Sequence, residues 1–234
     1  MKIGGLEKNS MIDFPGKISC VVFTSGCNFS CPYCHNPEIA GNDMGKAPAK
    51  IEEPTLFSFL EKRKNLLEGV VITGGEPTLQ RDLVGFCRKI KELGYLVKLD
   101  TNGSRPKVLA ELYRKKLVDF TAMDIKSSLD NYFLAAGSRF DPERITASIA
   151  LIMETGLDYE FRTTCVKPFV DKKIMGKIGS MIRNASHYIL QHCSKHEHVL
   201  QPGFFQEKNR FLTESEMTAL AKEAEKYVEK CSIR

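Results

Sequence analysis

The stretch ISCVVFTSGCNFSCPYCHNPE, residues 18–38, joins a β-branched apolar run to three closely spaced cysteines. ISCVVFT (18–24) has the length and composition of a buried strand. Gly26 frees the chain to turn, and Cys27, Cys31 and Cys34 follow on one loop stiffened by Pro32 and Pro37. Four chemistries use such a loop. C-P-Y-C is the spacing of a dithiol redox pair. With His35 it becomes C-x-x-C-H, a haem attachment pattern. Three thiols plus His35 form a Cys3His zinc set. Read as C-x3-C-x2-C, the same thiolates hold three irons of a four-iron cluster and leave the fourth iron open.

Outward from this loop a strand–helix rhythm runs along the chain. β-Branched runs recur at GVVIT (69–73), YLVKLD (95–100), VDFTAMDI (118–125), DYEFRTTCV (158–166) and SHYILQ (186–191). Amphipathic stretches of helical period fill the gaps at 54–68, 79–94, 105–117, 141–156 and 171–185. In the first, Leu56, Phe57, Leu60, Lys64 and Leu67 mark the stripe; in the second, Leu83, Phe86, Ile90 and Leu93 do, with Gly94 as the stop. Asp141 and Pro142 read as a cap and first-turn pair. Thr213, with Glu216 three residues on, opens a final helix running to about residue 230 with a capping box.

This rhythm predicts an α/β fold with a parallel sheet, in a single domain over residues 1–234. Periodicity alone does not separate a barrel from an open sheet, but the placement of the polar residues helps. GGEP (74–77), Asp100-Thr101-Asn102-Gly103, Asp124-Ile125-Lys126, Arg162-Thr163 and Gln191 fall at or near strand ends. In a parallel barrel these ends share the rim on which sites are built, so a partial (βα)6 barrel is expected.

Composition narrows the chemistry. The net charge of +5 suits an acidic protein partner and brings no dense basic patch for nucleic acid. No apolar run is long enough to cross a bilayer, and MKIGGLEKNS lacks the apolar core of a signal peptide. A cytoplasmic protein without membrane or nucleic-acid partners is the expectation. There, 8 cysteines favour metal or redox chemistry over disulfides. Cys20, Cys87, Cys165, Cys193 and Cys231 are scattered and read as small buried hydrophobes. A dithiol pair leaves Cys27 and the rim residues without a role, and haem attachment normally needs export. Zinc would ask the adjacent Cys34 and His35 to reach one tetrahedral ion. The open-cornered iron–sulfur cluster uses all three cysteines.

The run CNFSCPYC (27–34), with Tyr33 before its last cysteine, resembles the radical S-adenosylmethionine (SAM) superfamily when taken with GGEP at 74–77. The longer segment SMIDFPGKISCVVFTSGCNFSCPYCHNPE, with TGGEP, DTNG, MDIK and YILQ, is similar to activating proteins of anaerobic ribonucleoside-triphosphate reductase. That similarity covers nearly the whole chain apart from residues about 193–212. It implies a [4Fe-4S] cluster and SAM as cofactors, and a 5′-deoxyadenosyl radical that takes a hydrogen from a glycine of the partner. By motif match Cys27, Cys31 and Cys34 would ligate the cluster, and Tyr33 would pack on the adenine. The Gly74-Gly75-Glu76 turn would hold the methionine amino group. Asp100 and Asn102 would meet the ribose or methionyl end, and Lys126 of the Asp124–Lys126 pair would meet the SAM carboxylate. Arg162 is a further carboxylate partner, and Asp100, Thr101 and Asp124 could frame a monovalent cation. The implied partners are a glycyl-radical enzyme and, as electron donor, flavodoxin or ferredoxin. Rival readings are a pyruvate formate-lyase type activase, a small-molecule radical SAM enzyme or, from another class, a zinc-stabilised or dithiol-redox α/β protein. The run 193–211 carries no motif, and His196 and His198 within it read as a solvated loop.

Overall fold

The computed structural model describes residues 1–40, 51–194, 199–206 and 209–234; His196 and His198 lie outside these. The chain divides into two compact units. The first comprises Met1–Asn28, Glu38–Thr101 and Arg105–Thr121; the second comprises Phe29–Pro37, Asn102–Ser104 and Ala122–Arg234.

In the first unit, β1 (Ile3–Ser10), β2 (Ser19–Thr24), β3 (Gly69–Gly74) and β4 (Leu96–Thr101) lie side by side in chain order. The pair β1–β2 is antiparallel, while β2–β3 and β3–β4 are parallel. Cys20, Val22, Val70, Val71, Ile72, Val97 and Leu99 are fully buried, as expected of strands covered on both faces. The short α1 (Pro37–Ala40) follows the cysteine loop, and the covering helices are α2 (Glu53–Lys62), α3 (Leu83–Glu92) and α4 (Pro106–Arg114). α2 buries Leu56 and Leu60, but it ends at Lys62, so Lys64 lies past the helix and is exposed. α3 buries Leu83, Phe86, Cys87 and Ile90, and Gly94 takes the left-handed turn (φ 90°) that stops it. Phe14, from the β1–β2 connection, packs against Val21 and Val71 and meets the Phe120 ring at 5.9 Å. A Cβ on Gly69 would stand 2.7 Å from the Phe14 ring, so only glycine admits that plug.

Strand β5 (Phe120–Asp124) gives its first two residues to the first unit and the rest to the second. In the second unit β6 (Asp158–Cys165), β7 (Tyr188–His192) and β8 (Cys231–Ile233) run parallel in chain order. Just past β5, Ile125 N–H donates to Arg162 O at 2.7 Å. The helices here are α5 (Tyr132–Ala136), α6 (Glu143–Glu154), α7 (Lys172–Met181) and α8 (Glu214–Ala224). The capping box of α8 forms as expected: Thr213 Oγ1 accepts from Glu216 N, and Glu216 Oε2 accepts from Thr213 N. Asp141 also takes up an end-group, accepting from Glu143 N at 3.0 Å, although Pro142 is the residue at the cap. The last helix is shorter than its sequence suggests, because the chain leaves it to form β8. Among the described residues no helix is long and apolar enough to cross a membrane.

Candidate cofactor site

The second unit holds most of the cysteine loop, Phe29–Pro37. A turn closes it where Cys34 N–H donates to Cys31 O at 3.0 Å. Its start is moored to the end of α5, since Ser30 N–H donates to Ala136 O at 2.7 Å. Gly137 follows with φ 63°, and a Cβ there would lie 2.0 Å from Ser30 O. Phe29 anchors the same corner against Tyr132 and Phe140, with ring centroids at 6.3 and 4.8 Å. Cys31 is buried and Cys34 half-buried.

Beside the loop lies a charged cluster from the end of β5 and the middle of β6. Asp124 accepts from Arg162 Nε at 2.9 Å and from Lys126 Nζ at 3.0 Å. Arg162 also stands 3.8 Å from Glu160. Burial opposes the charge on Asp124, but the two cations outweigh it and hold the carboxyl below the usual carboxylate range. Burial likewise opposes the charge on Lys126, which Asp124, Cys31 and Tyr33 raise well above the ordinary lysine value. The Tyr33 phenol is pushed up by burial and by Cys31. It is 4% exposed, and its hydroxyl is a buried polar atom without a hydrogen-bond partner among the described residues. Asn102, expected to meet the ribose or methionyl end, is buried and accepts from Ser104 N at 3.0 Å, so its carbonyl shapes its own loop.

The first unit carries Cys27, half-buried, and the GGEP turn. Gly75 N–H donates to Thr24 O and Glu76 N–H to Gly26 O, at 2.8 and 2.9 Å, tying the exit of β3 to the exit of β2. A Cβ on Gly75 would lie 2.2 Å from Gly26 O, and one on Gly74 2.5 Å from Thr24 N. The two glycines are therefore required by the approach of one strand exit to the other. Glu76 is fully buried and accepts from Thr78 N at 3.1 Å and Thr101 Oγ1 at 2.8 Å, which makes it the brace of this turn. Asp100 accepts from Lys98 Nζ at 2.6 Å. Lys98, the ion-pair partner of Asp100, is a residue that sequence reasoning missed. The signal was a lysine inside the otherwise apolar YLVKLD, two positions from Asp100 and hence on the same face of β4. Asp100, Thr101 and Asp124, considered for a cation, each have a side-chain partner of their own: Lys98, Glu76, and Lys126 with Arg162. Gln191 is half-buried on β7, level with Thr164.

Among the described residues no three histidine, cysteine or carboxylate side chains already stand together as a metal site. The donor set still suits a cluster and a zwitterionic ligand. The loop offers sulfur donors, the Asp124–Lys126–Arg162 cluster offers both signs of charge, and the Tyr33 hydroxyl is buried without a partner among the described residues.

Parallel strands alternating with helices, with polar groups at or near the strand ends, define an α/β fold of the partial (βα)6-barrel class. Residues 21–175 match the family described as the Radical SAM superfamily, and the chain belongs to it. A Methanocaldococcus jannaschii protein, named for a proposed role as a glycyl-radical enzyme activating enzyme, is 34% identical over 99% of this chain and 95% of its own length. Among solved structures, Streptococcus suis SuiB gives a TM-score of 0.64 at 15% identity, over 92% of this chain and 48% of SuiB. TYW1 with a lysine-pyruvate adduct gives 0.61 at 17%, over 89% of this chain and 72% of TYW1. These structures share the fold. The protein is a radical SAM enzyme whose cofactors are a [4Fe-4S] cluster and SAM.

Proposed function

We propose that this enzyme installs a glycyl radical on anaerobic ribonucleoside-triphosphate reductase. The observation that carries the reading is the 34% identity to the M. jannaschii protein along almost all of both chains. When bound, the cluster and SAM supply a 5′-deoxyadenosyl radical that removes a hydrogen atom from a glycine Cα. Cys27, Cys31 and Cys34 would hold the cluster through their thiolates. Lys126 neutralises the SAM carboxylate, and Asp124, charged at all physiological pH, orients Lys126 and Arg162. Tyr33 lies against the adenine. Main-chain carbonyls of Gly74 and Gly75 receive the amino group, while Glu76 keeps their turn rigid from behind. Asp100, balanced by Lys98, and Asn102 line the ribose and methionyl end. The net charge of +5 suits an acidic electron donor such as flavodoxin or ferredoxin in the cytoplasm.

The test is to incubate the reduced, cluster-loaded enzyme and SAM with anaerobic ribonucleoside-triphosphate reductase and with pyruvate formate-lyase. Electron paramagnetic resonance should detect a glycyl radical on the reductase. A radical on the lyase alone would reassign the partner. Release of 5′-deoxyadenosine with no radical on either protein would indicate a small-molecule substrate.

A further inference from the structure

The segment that carries no sequence motif grips the cysteine loop. Leu200 N–H donates to Cys34 O at 3.2 Å, and Gln201 N–H donates to Pro32 O at 3.1 Å. Phe204 is buried, with its ring centroid 6.1 Å from Tyr33 and its plane stacked on Phe169 at 5.8 Å. The Arg210 guanidinium sits 4.4 Å from the Phe204 centroid, and its Nε donates to Phe204 O at 3.2 Å. Arg210 is anchored in turn on Lys167: the Lys167 N–H donates to Arg210 O at 2.9 Å, and Arg210 Nη1 donates to Lys167 O at 3.3 Å. Lys167 Nζ closes the series on Glu216 of α8 at 2.6 Å. Just ahead of the segment, Cys193 Sγ lies 3.7 Å from His35 Nε2.

We propose that residues 199–206 are a positioning strap that fixes the backbone of the Cys31–Cys34 turn for cluster binding, with Phe204 as its positioning residue. The inference rests on reading those cysteines as cluster ligands. Two carbonyls of the loop, those of Pro32 and Cys34, are each fixed by a strap N–H. Because a planar trans peptide directs its N–H opposite its C=O, those bonds also turn the Tyr33 and His35 N–H groups away from the strap. Hydrogen bonding around thiolate ligands sets the electronic properties of a cluster. A cluster held by three thiolates has one protein ligand fewer than a closed site, so the preorganisation of its loop matters more.

Gln201 is exposed, which allows a clean test. Gln201→Pro deletes the N–H that reaches Pro32, while Gln201→Ala keeps it. The protein is reconstituted without oxygen, and iron release to EDTA is timed alongside resonance spectra of the reduced cluster. The strap predicts release about tenfold faster in Gln201→Pro, the scale of outer-shell effects on metal sites. It also predicts shifted g values in that variant alone, with Gln201→Ala matching the parent. A second pair guards against misfolding: Phe204→Ala should behave like Gln201→Pro, and Phe204→Tyr like the parent, with apo-protein circular dichroism unchanged. Parent-like release and spectra in both Gln201→Pro and Phe204→Ala would overturn the strap, and so would collapse of both folds. A parent that takes up no iron would instead sink the ligand assignment itself.

Discussion

Lys98 occupies the middle of β4 with 2% of its side chain exposed, its ammonium 2.6 Å from Asp100 and 5.7 Å from the centre of the Phe120 ring. Taking one partner from a buried pair leaves an uncompensated charge, which costs far more than removing both. Lys98→Met should therefore lower apo-protein stability by about 3 kcal/mol in urea titration, and the Lys98→Met/Asp100→Asn double variant should regain most of it. If Asp100 serves the fold alone, the double variant will also bind SAM like the parent; the proposed site role requires weaker binding. The same scale tests the cysteines. Replacing Cys27, Cys31 or Cys34 by alanine should abolish the brown colour and reduce iron from about four per chain to near zero. Alanine at Cys20, Cys87 or Cys165, which burial pushes up to about 12, should leave iron content unchanged.

Strands β2 to β7 were legible because each is a β-branched run between amphipathic stretches. β1 and β8 were not. IGGLEKNS has two glycines and two charged residues in eight positions and becomes a strand only by pairing along β2. β8 is three residues long and held by β7. Tertiary pairing overrides propensity in both. Gly137 provides a direct test of how α5 steers the cysteine loop. Gly137→Ala meets both a positive φ and Ser30 O, whereas Gly156→Ala meets a similar φ of 69° with nothing within 4 Å of the new Cβ. Gly156→Ala should cost about 1 kcal/mol from backbone strain alone. Gly137→Ala should cost more and also cut iron retention; equal effects of the two would disconnect α5 from the loop. At α8, bonds from Lys167 and then from the Thr213 N–H hold the Glu216 carboxyl down to about 2. Its folded value lies below its unfolded one, so its stabilisation is complete above the unfolded value of about 4.3 and fades as pH falls through the folded value. The melting-temperature gap between parent and Glu216→Gln should accordingly be constant from neutral pH to about 5 and close as pH approaches 2.

At the scale of the whole molecule, the cysteine loop was legible because thiolate spacing is a local property. The polar groups near strand ends were legible because strands can be counted from hydrophobic runs. The contacts that position the site were hidden because they join distant parts of the chain. Glu76 to Thr101, Asp124 to Arg162, and the strap from Leu200 and Gln201 to the cysteine loop span 25 to more than 150 residues and leave no periodic trace. Glycine was legible at GGEP, but its local reason is the approach of two strand exits. The function we propose requires a hydrogen atom to leave a glycine of a partner protein, and isotope transfer reads that event directly. A reductase carrying deuterium at its glycine Cα positions is mixed with reduced enzyme and SAM, and the 5′-deoxyadenosine is analysed by mass spectrometry. The account predicts one deuterium in the released nucleoside. Unlabelled 5′-deoxyadenosine, formed at the same rate with and without the reductase, would contradict it.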